Sequence, residues 1–362
     1  MKALVTGGGG FLGGALVRAL LDRGDDVVSL ARGDYPALRA LGAETVRADL
    51  ADPSAVRTAA GGCDVVFHVA AKAGIWGPAA EFERSNVEGT RSVLAACRDA
   101  GITRLVHTST PSVVHGGGDI EGGDESLPYA IRFSSDYPRT KAIAERAVLG
   151  AADDRLATVA LRPHLVWGPG DTQLVPRILS RARAGRLRFV GGGDALIDTT
   201  YIDDAVHAHL CAADRLAPGA TCSGRPYFVS SGAPRPVRTV VNAILAAGGL
   251  PPETRSAPLT LAEAAGGACE LVWRLLRRDD DPPMTRFLAR QLATAHWFDI
   301  GAARRDLGYA PQVGLDEGFR RLASWLQDRE PPQVGETGEA VPGEVAAPGE
   351  LGGPAPGDGR LP

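Results

Sequence analysis

The sequence lacks the features that would place it among several large classes of protein. No apolar run reaches 18 residues, about the shortest length that suggests a membrane-spanning helix, so we expect no transmembrane segment. No basic segment with an apolar core precedes the strand predicted from residue 2, so we expect no signal peptide and a cytoplasmic protein. The net charge of −4 gives no basic surface of the kind that nucleic acids need, so no nucleic-acid partner is expected.

Metal-ligand spacing is also missing. The five cysteines are scattered and show neither a CxxC pair nor a close histidine partner: Cys63, Cys97, Cys211, Cys222 and Cys269. Buried reduced thiols are therefore expected, and no metal site. What the chain does have is length and apolar content, since 362 residues with 44% hydrophobic side chains can form one large α/β domain with a lobe, or two domains.

A strand, a glycine turn and a helix open the chain. Lys2–Thr6 is a short apolar run typical of a buried parallel strand, and Gly7, Gly10 and Gly13 follow it in a GxxGxxG pattern. Phe11 and Leu12 then begin a helical repeat. This order places free helix N–H groups at the carboxyl end of the strand, where a phosphate can bind. A merely structural turn is the alternative, but both flanking elements favour dinucleotide binding.

The end of the second predicted strand indicates which dinucleotide binds. Asp26–Leu30 is followed by Ala31 and Arg32, where NAD-dependent proteins of this fold carry an acidic residue that binds the adenosine ribose. A guanidinium binds a 2′-phosphate, whereas a carboxylate would repel it. Arg32 therefore favours NADP(H) over NAD(H), unless it is an ordinary solvated charge.

Further strands alternate with helices along the first half of the chain. The predicted strands are 45–47, 65–67, 105–109 and 156–161, and the predicted helices include 86–100 and 136–149. This alternation predicts an α/β fold with a Rossmann-type, doubly wound parallel sheet. Asp49 and Leu50 are suited to contact adenine, and the small Ala70 and Ala71 let the backbone lie against the cofactor. His68 is more often a packed imidazole than a catalyst at such a strand end.

The candidate catalytic residues follow the fifth strand. Tyr137 and Lys141 form a YxxxK pair, so both side chains lie on one helical face. A phenol titrates near pH 10, and a nearby ammonium brings its pKa toward working pH. Thr110, at the end of the fifth strand, would supply a second hydroxyl to a carbonyl oxygen, a role that Ser109 or Ser112 could share. A surface helix is the alternative for the YxxxK pair alone.

Taken together, these motifs resemble the extended short-chain dehydrogenase/reductases, in the branch of the 3β-hydroxysteroid dehydrogenases. The matching stretches span residues 1 to about 330 and are TGGGGFLG (6–13), DL (49–50), HVAA (68–71), NVEGT (86–90), TST (108–110), YPRTK (137–141), LRP (161–163) and YIDD (201–204). The resemblance implies that Tyr137 donates a proton, that Lys141 binds the ribose and lowers the pKa of that tyrosine, and that Thr110 binds the substrate. It also implies cofactor contacts at Phe11, Leu12, Asn86 and Pro163.

Five stretches resemble a narrower group, the bacterial reductases of 2-alkyl-3-oxoalkanoates in long-chain olefin biosynthesis. They are 108–115, 161–171, 198–203, 282–292 and 303–313. This resemblance implies NADPH-dependent reduction of a long-chain acyl substrate to the 3-hydroxy acid, and an assembly with a β-lactone synthetase and a decarboxylase. A 3β-hydroxysteroid or sterol-carboxylate dehydrogenase stays open, as does an NADP-binding protein without catalysis. A homodimer through the helices at 87–100 and 136–149 follows by analogy.

The predicted domain organisation has three parts. Residues 1–167 form the NADP-binding Rossmann domain, to which 198–213 returns. Residues 168–197 and 214–330 form a substrate-binding lobe, and 331–362 is predicted to be disordered because it has almost no large apolar side chains.

Two helices of the predicted lobe leave alternatives open. Residues 259–278 are expected to form a tunnel lid, a docking surface for a partner enzyme or a peripheral contact with lipid. The helix at 174–184 carries Arg177, Arg181 and Arg183, expected on a solvated face, although one could bind a substrate carboxylate.

Overall fold

The computed structural model describes residues 1–74, 76–278, 280 and 282–328. Its strands, in chain order, are β1 (Lys2–Thr6), β2 (Asp26–Ala31), β3 (Glu44–Arg47), β4 (Val65–His68), β5 (Arg104–Thr108), β6 (Ile120–Gly123), β7 (Ala157–Pro163), β8 (Val166–Trp167), β9 (Phe189–Val190), β10 (Leu196–Ile197), β11 (Thr200–Tyr201), β12 (Arg225–Val229), β13 (Arg235–Pro236), β14 (Ser256–Ala257) and β15 (His296–Phe298). Its α-helices are α1 (Phe11–Asp22), α2 (Pro36–Ala40), α3 (Pro53–Ala60), α4 (Ala79–Phe82), α5 (Gly89–Asp99), α6 (Asp136–Leu149), α7 (Leu174–Arg183), α8 (Ile202–Arg215), α9 (Val237–Ala247), α10 (Leu259–Leu275), α11 (Arg286–Ala293) and α12 (Leu315–Gln327).

A seven-stranded sheet organises the chain. Its strands lie in the order β12-β7-β5-β4-β1-β2-β3, and every neighbouring pair is parallel. The direction of winding reverses at β1, which lies between β2 and β4. Ligands of open parallel sheets bind in the crevice beyond the carboxyl ends of the strands at such a reversal. The predicted doubly wound Rossmann-type sheet is confirmed.

Helices cover both faces of this sheet because side chains alternate along each strand. Ala3 and Val5 pack on the face covered by α1 and α8, whereas Leu4 packs on the face covered by α3 and α5. All three residues are fully buried. The two faces thus give two separate apolar layers, as a sheet that is covered on both sides requires.

A smaller C-terminal lobe follows, with a core of its own. A four-stranded sheet in the order β13-β10-β15-β6 and two pairs of short strands, β11-β8 and β14-β9, lie beside α7, α9, α10, α11 and α12. The buried Trp167 stacks on Phe319 with ring centroids 4.3 Å apart, and Phe189 and Ile244 belong to the same core. None of the helices in the described ranges combines the length and apolar character needed to cross a bilayer.

The structure changes several boundaries that the sequence predicted. β12 lies within 214–330, the stretch predicted to form the lobe, yet it is the edge strand of the central sheet. Pro226 hides this strand in the sequence, and an edge position tolerates proline because it needs fewer ladder hydrogen bonds. Conversely, β6 comes from the first domain but pairs with β15 of the lobe. The tail predicted to be disordered, 331–362, lies outside the described residues.

The helix predicted from Asn86 starts earlier in the chain. α4 leads into a π-helical turn, Glu83–Glu88, which continues directly into α5. The turn places Asn86 inside a helix rather than at its start, so no capping signal marks this boundary. By contrast, α6 has the bounds 136–149 that the sequence predicted.

A buried ion pair fixes α6 against the sheet. Arg162 of β7 donates through Nη2 and Nε to the carboxylate oxygens of Glu145 at 2.6 and 3.1 Å, and the two side chains are 2% and 0% exposed. The hydroxyl of Tyr129 donates to the same carboxylate at 2.8 Å, and the guanidinium of Arg162 lies over the ring of Phe228. A buried pair with several hydrogen bonds fixes a unique arrangement, because any other one leaves a charge unpaired.

We expect Arg162→Met to destabilise the protein by about 3 kcal/mol, because it leaves the buried carboxylate of Glu145 without its counter-charge. Arg139→Met is the matched control, since Arg139 pairs with Glu83 and Asp136 at the surface, where an ion pair contributes at most about 1 kcal/mol. Urea unfolding followed by circular dichroism measures both. Equal losses of stability in the two variants would contradict this account of α6.

Candidate active site

One cavity of about 960 Å³ runs from the glycine turn into the C-terminal lobe. Its walls include the carboxyl ends of β1, β4, β5 and β7, which the parallel sheet brings to one edge. All but one of the predicted catalytic and cofactor-binding residues line it, and these are Gly7, Gly10, Phe11, Leu12, Gly13, Arg32, Asp49, Leu50, Ala70, Ala71, Thr110, Tyr137, Lys141 and Pro163. The volume lies at the upper end of the usual range for small-molecule sites, so it has room for a large ligand.

The glycine turn fits a closely approaching ligand. Gly7 has a φ of +74°, and a Cβ there would lie 2.8 Å from the Cα of Ala70. A Cβ at Gly13 would lie 2.2 Å from the carbonyl oxygen of Gly7, so glycine at this position lets α1 pack against the turn. A Cβ at Gly10 would lie 3.3 Å from the same carbonyl oxygen, so this position is less crowded than the other two. This shape, with the amino end of α1 behind it, suits a pyrophosphate.

The end of the cavity where the sequence predicts the adenosine to bind contains the predicted residues and one residue that no motif indicates. Arg32 is exposed at the cavity wall, and the carboxylate of Asp49 accepts from Arg84 at 3.0 Å and from the backbone N–H of Ala51 at 2.9 Å. Tyr35 lines this end, and its ring lies so close to Gly9 that a Cβ there would meet it at 2.0 Å. No periodic pattern in the sequence indicates that Tyr35 lines the cavity. Its position three residues after Arg32, in the same loop, is the one available signal.

Asn86 is the exception among the predicted cofactor residues, since it does not line the cavity. Its side chain is buried, accepts from the backbone N–H of Lys72 at 2.7 Å, and donates to the Lys72 carbonyl at 3.1 Å and to Thr140 Oγ1 at 3.0 Å. Asn86 thus holds the loop after β4 against α6 from behind. Lys72 itself lines the cavity. Lys72 is not among the residues predicted from the sequence, although its position directly after Ala71 could have indicated that it lines the cavity.

Tyr137 and Thr110 face each other in the cavity. Thr110 lies at the end of β5, where its hydroxyl donates to Ser112 Oγ and accepts from the Ser112 backbone N–H, both at 3.2 Å. Burial raises the pKa of Tyr137 above its usual value, and a hydrogen bond with Thr110 acts in the opposite direction. Lys141, which the sequence predicts to lower the pKa of this phenol, does not offset the effect of burial. Ser109 and Ser112 also line the cavity.

Lys141 lies one turn along α6 and is 2% exposed. Its Nζ donates to the carbonyl oxygen of Thr108 at 2.7 Å and lies 3.2 Å from Nε2 of His107. Burial lowers the pKa of Lys141 to about 7, while the carboxylate of Glu145 acts in the opposite direction. The amine therefore exchanges its proton near neutral pH, which suits a group that assists proton transfer.

Two further histidines have structural hydrogen bonds. His68 Nδ1 lies 2.8 Å from Thr6 Oγ1 and Nε2 lies 2.9 Å from Thr90 Oγ1, so both ring nitrogens have partners. This agrees with the packing role favoured from the sequence. His209 bonds Thr108 Oγ1 and the carbonyl of Ala205, whereas His207 points to another side of α8.

One cysteine has a close histidine partner, contrary to the expectation from the sequence. Cys211 Sγ lies 3.4 Å from His207 Nε2, one turn away on α8. No group of three or more metal-binding side chains is present among the described residues. All five cysteines are free thiols, of which Cys63, Cys97 and Cys222 are buried.

The lobe supplies the apolar end of the cavity. Side chains of β9, α9, α10 and α11 line it, including Phe189, Val240, Ile244, Leu261, Phe287 and Leu288. Arg177 and Arg181, expected mainly on a solvated face, also line the cavity, whereas Arg183 does not. One end of the cavity is therefore apolar and rimmed by guanidinium groups, and the other carries the hydroxyls and the amine.

Comparison with known proteins identifies the family. A family model described as the 3-beta hydroxysteroid dehydrogenase/isomerase family matches residues 4–259. The chain belongs to this family. The resemblance stated from its motifs is thus confirmed, and the protein is an NAD(P)-dependent oxidoreductase.

Individual proteins are similar over about nine-tenths of the chain. The 2-alkyl-3-oxoalkanoate reductase of Stenotrophomonas maltophilia (strain K279a) is 54% identical over 324 residues, which cover 89% of this chain and 98% of that protein. The 2-alkyl-3-oxoalkanoate reductase of Shewanella oneidensis is 48% identical over 332 residues, covering 90% and 86%. Among solved structures, MoeE5 in complex with UDP-glucose and NAD has a TM-score of 0.68 at 26% identity and covers 91% of this chain and 99% of its own.

We expect Gly13→Ala to weaken nicotinamide-cofactor binding by tenfold or more, because the new methyl group must displace the carbonyl of Gly7 and open the turn. Gly314→Ala is the control, since a Cβ there would have no atom within 4 Å and Gly314 does not line the cavity. Fluorescence titration with the reduced cofactor gives the dissociation constants. A folded Gly13→Ala protein that binds as tightly as the control would show that the turn does not hold the cofactor.

Proposed function

We propose that this enzyme reduces the 3-oxo group of a 2-alkyl-3-oxoalkanoate to the 3-hydroxyl group, with NADPH as the reductant. The observation that carries the proposal is the single cavity that joins Tyr137, Thr110 and Lys141 to a large apolar compartment. The names of the two similar reductases point to the same substrate class. In this proposal the reaction belongs to a route to long-chain olefins through a β-lactone.

The polar end of the cavity suits a carbonyl oxygen that becomes an alcohol. When bound, the nicotinamide supplies the hydride. Thr110 donates a hydrogen bond to the carbonyl oxygen, and the Tyr137 hydroxyl gives its proton to the same oxygen as negative charge develops there. Lys141 binds the cofactor ribose and, when protonated, makes it easier for the phenol to release its proton, because an ammonium stabilises a nearby phenolate.

The glycine turn, Arg32 and the small side chains after β4 would hold the dinucleotide. The cradle at Gly7 and Gly13 leaves space for a pyrophosphate, and the small Ala70 and Ala71 leave space beside it. Arg32 lines the adenosine end, where its guanidinium would bind a 2′-phosphate. β2 ends at Ala31, where NAD-dependent proteins of this fold carry an acidic residue that binds the adenosine ribose. This difference supports NADPH over NADH.

The apolar end suits two alkyl chains. The side chains that line it come from α9, α10 and α11, and burial of each methylene of a substrate contributes about 0.8 kcal/mol. α10 and α11 are joined over this end by Glu270, which accepts from Arg286 at 2.8 Å and is mostly buried. We therefore propose the lid role for the side of residues 259–278 that lines the cavity, and this leaves the exposed side of the segment for another contact.

The outer face of α10 is the surface that we assign to pathway partners. Leu271, Val272, Leu275 and Leu276 are exposed large apolar side chains at its carboxyl end. An assembly with a β-lactone synthetase and a decarboxylase would cover such a patch, since apolar patches of this kind mark interaction surfaces. The expected homodimer, through α5 and α6, and a peripheral membrane contact belong to the same proposal.

We expect turnover of NADPH with a long-chain 2-alkyl-3-oxo acid to be far more efficient than with a 3-ketosteroid, because two flexible chains fill the apolar end. Loss of NADPH fluorescence gives kcat/KM for each substrate. Tyr137→Phe should bind NADPH normally and lose almost all turnover, since it lacks only the hydroxyl group that donates the proton. Preference for the ketosteroid would assign the chain to steroid chemistry, and full activity of Tyr137→Phe would remove the phenol from the mechanism.

We expect Arg32→Glu to lower kcat/KM for NADPH by more than about tenfold and to leave NADH unaffected or improved, because the carboxylate repels the 2′-phosphate. Arg39→Glu is the control, since Arg39 pairs with Asp34 near the same loop but does not line the cavity. A parallel loss with both cofactors in Arg32→Glu would contradict a role in phosphate recognition.

A further inference from the structure

The amine of Lys141 has two fixed acceptors within the protein. The Thr108 carbonyl accepts at 2.7 Å, and the second neighbour, Nε2 of His107, lies at 3.2 Å. His107 is fully buried and belongs to β5, directly before Thr108. An ammonium has three N–H donors and no acceptor, so a contact between a charged Lys141 and His107 requires a lone pair on Nε2.

The surroundings of His107 keep its ring neutral and able to accept. Burial lowers the pKa of His107 well below its usual value, and the charge of Lys141 acts in the same direction. The neutral ring then carries its proton on Nδ1, which has no hydrogen-bond partner within the described ranges. His68, in register on β4, packs against this ring with centroids 5.0 Å apart and bonds both of its own nitrogens elsewhere.

We propose that His107 is a positioning residue for Lys141, holding the ammonium through Nε2 so that its third N–H is left for the cavity. Lys141 lines the cavity from α6, while His107 lies behind it in the sheet. The Thr108 carbonyl and His107 Nε2 both belong to β5 and take two of the three tetrahedral N–H directions, so the direction of the third N–H is fixed. This inference rests on the proposed function, because the third donor matters only if Lys141 assists Tyr137 or the cofactor.

Few charged or titratable side chains lie near the amine of Lys141, where they could replace His107 as its hydrogen-bond acceptor. Glu145, one turn further along α6, favours the ammonium through its charge, and its carboxylate is held by Arg162. His68 faces the same space from β4, and Tyr137 precedes Lys141 by one turn. None of these side chains accepts a hydrogen bond from Nζ in the described structure, so His107 is the side-chain acceptor.

The scarcity of lysine makes the amine directly observable. The sequence contains three lysines, Lys2, Lys72 and Lys141. Protein grown with lysine labelled with ¹³C at Cε therefore gives three side-chain signals, which Lys2→Arg and Lys72→Arg assign. A pH titration of the Lys141 signal measures its pKa without substrate or turnover.

We expect the Lys141 midpoint near pH 7 in the unaltered protein and about one pH unit lower in His107→Phe, because a lost acceptor destabilises the charged form. His107→Gln should restore most of the shift, since its amide oxygen reaches the position of Nε2. His107→Asn, whose shorter amide ends near Nδ1, should resemble the Phe variant and serves if that variant does not fold. His209→Phe removes an equally buried histidine that bonds the Thr108 hydroxyl, and should leave the midpoint unchanged.

An unchanged midpoint in the Phe and Asn variants, or an equal fall in His209→Phe, would overturn the proposal. The kcat profile provides the second measurement. Because protonated Lys141 is the assisting form, the decline in kcat at high pH should move about one unit lower in His107→Phe and return in His107→Gln. A shifted midpoint with no turnover of any 3-oxo acid would uphold His107 and reject the proposed substrate instead.

Discussion

The buried ion pair between Glu145 and Arg162 is the constraint on which the geometry of the active site depends. Tyr137, Lys141 and Glu145 follow one another at intervals of four on α6, so they share one helical face. Fixing Glu145 against β7 fixes the other two along the same line. Arg162 is also the neighbour of Pro163, which lines the cavity, so one contact sets both α6 and the carboxyl end of β7.

The order of strands then decides which residues meet. Because β1 lies between β2 and β4, the glycine turn after β1 opens beside Ala70 and Ala71, at the end of β4. Thr110 follows β5, the next strand in the sheet. Residues far apart in the chain reach one crevice because all seven strands end at the same edge. The site is thus a property of the topology as much as of the motifs.

Burial favours the uncharged form of each titratable group at this site. It lowers the pKa of Lys141 and of His107 and raises that of Tyr137, since each shift favours the uncharged form. A charge that forms in this cavity needs nearby hydrogen-bonding partners, which explains why Lys141 is held by a carbonyl and an imidazole. In the proposed reaction, proton transfer from such groups needs little reorganisation, because their positions are already fixed.

The sequence by itself determined the elements with strong local signals: the strand–glycine–helix opening, the alternation of strands and helices, and the YxxxK pair on one helical face. These follow from hydrophobic period and glycine geometry, which act over a few residues. Only the tertiary structure decided that β12 joins the central sheet, that Asn86 lies behind the cavity wall, and that His107 touches Lys141. Those facts depend on strand order and on burial between distant segments, and neither leaves a pattern in the local sequence.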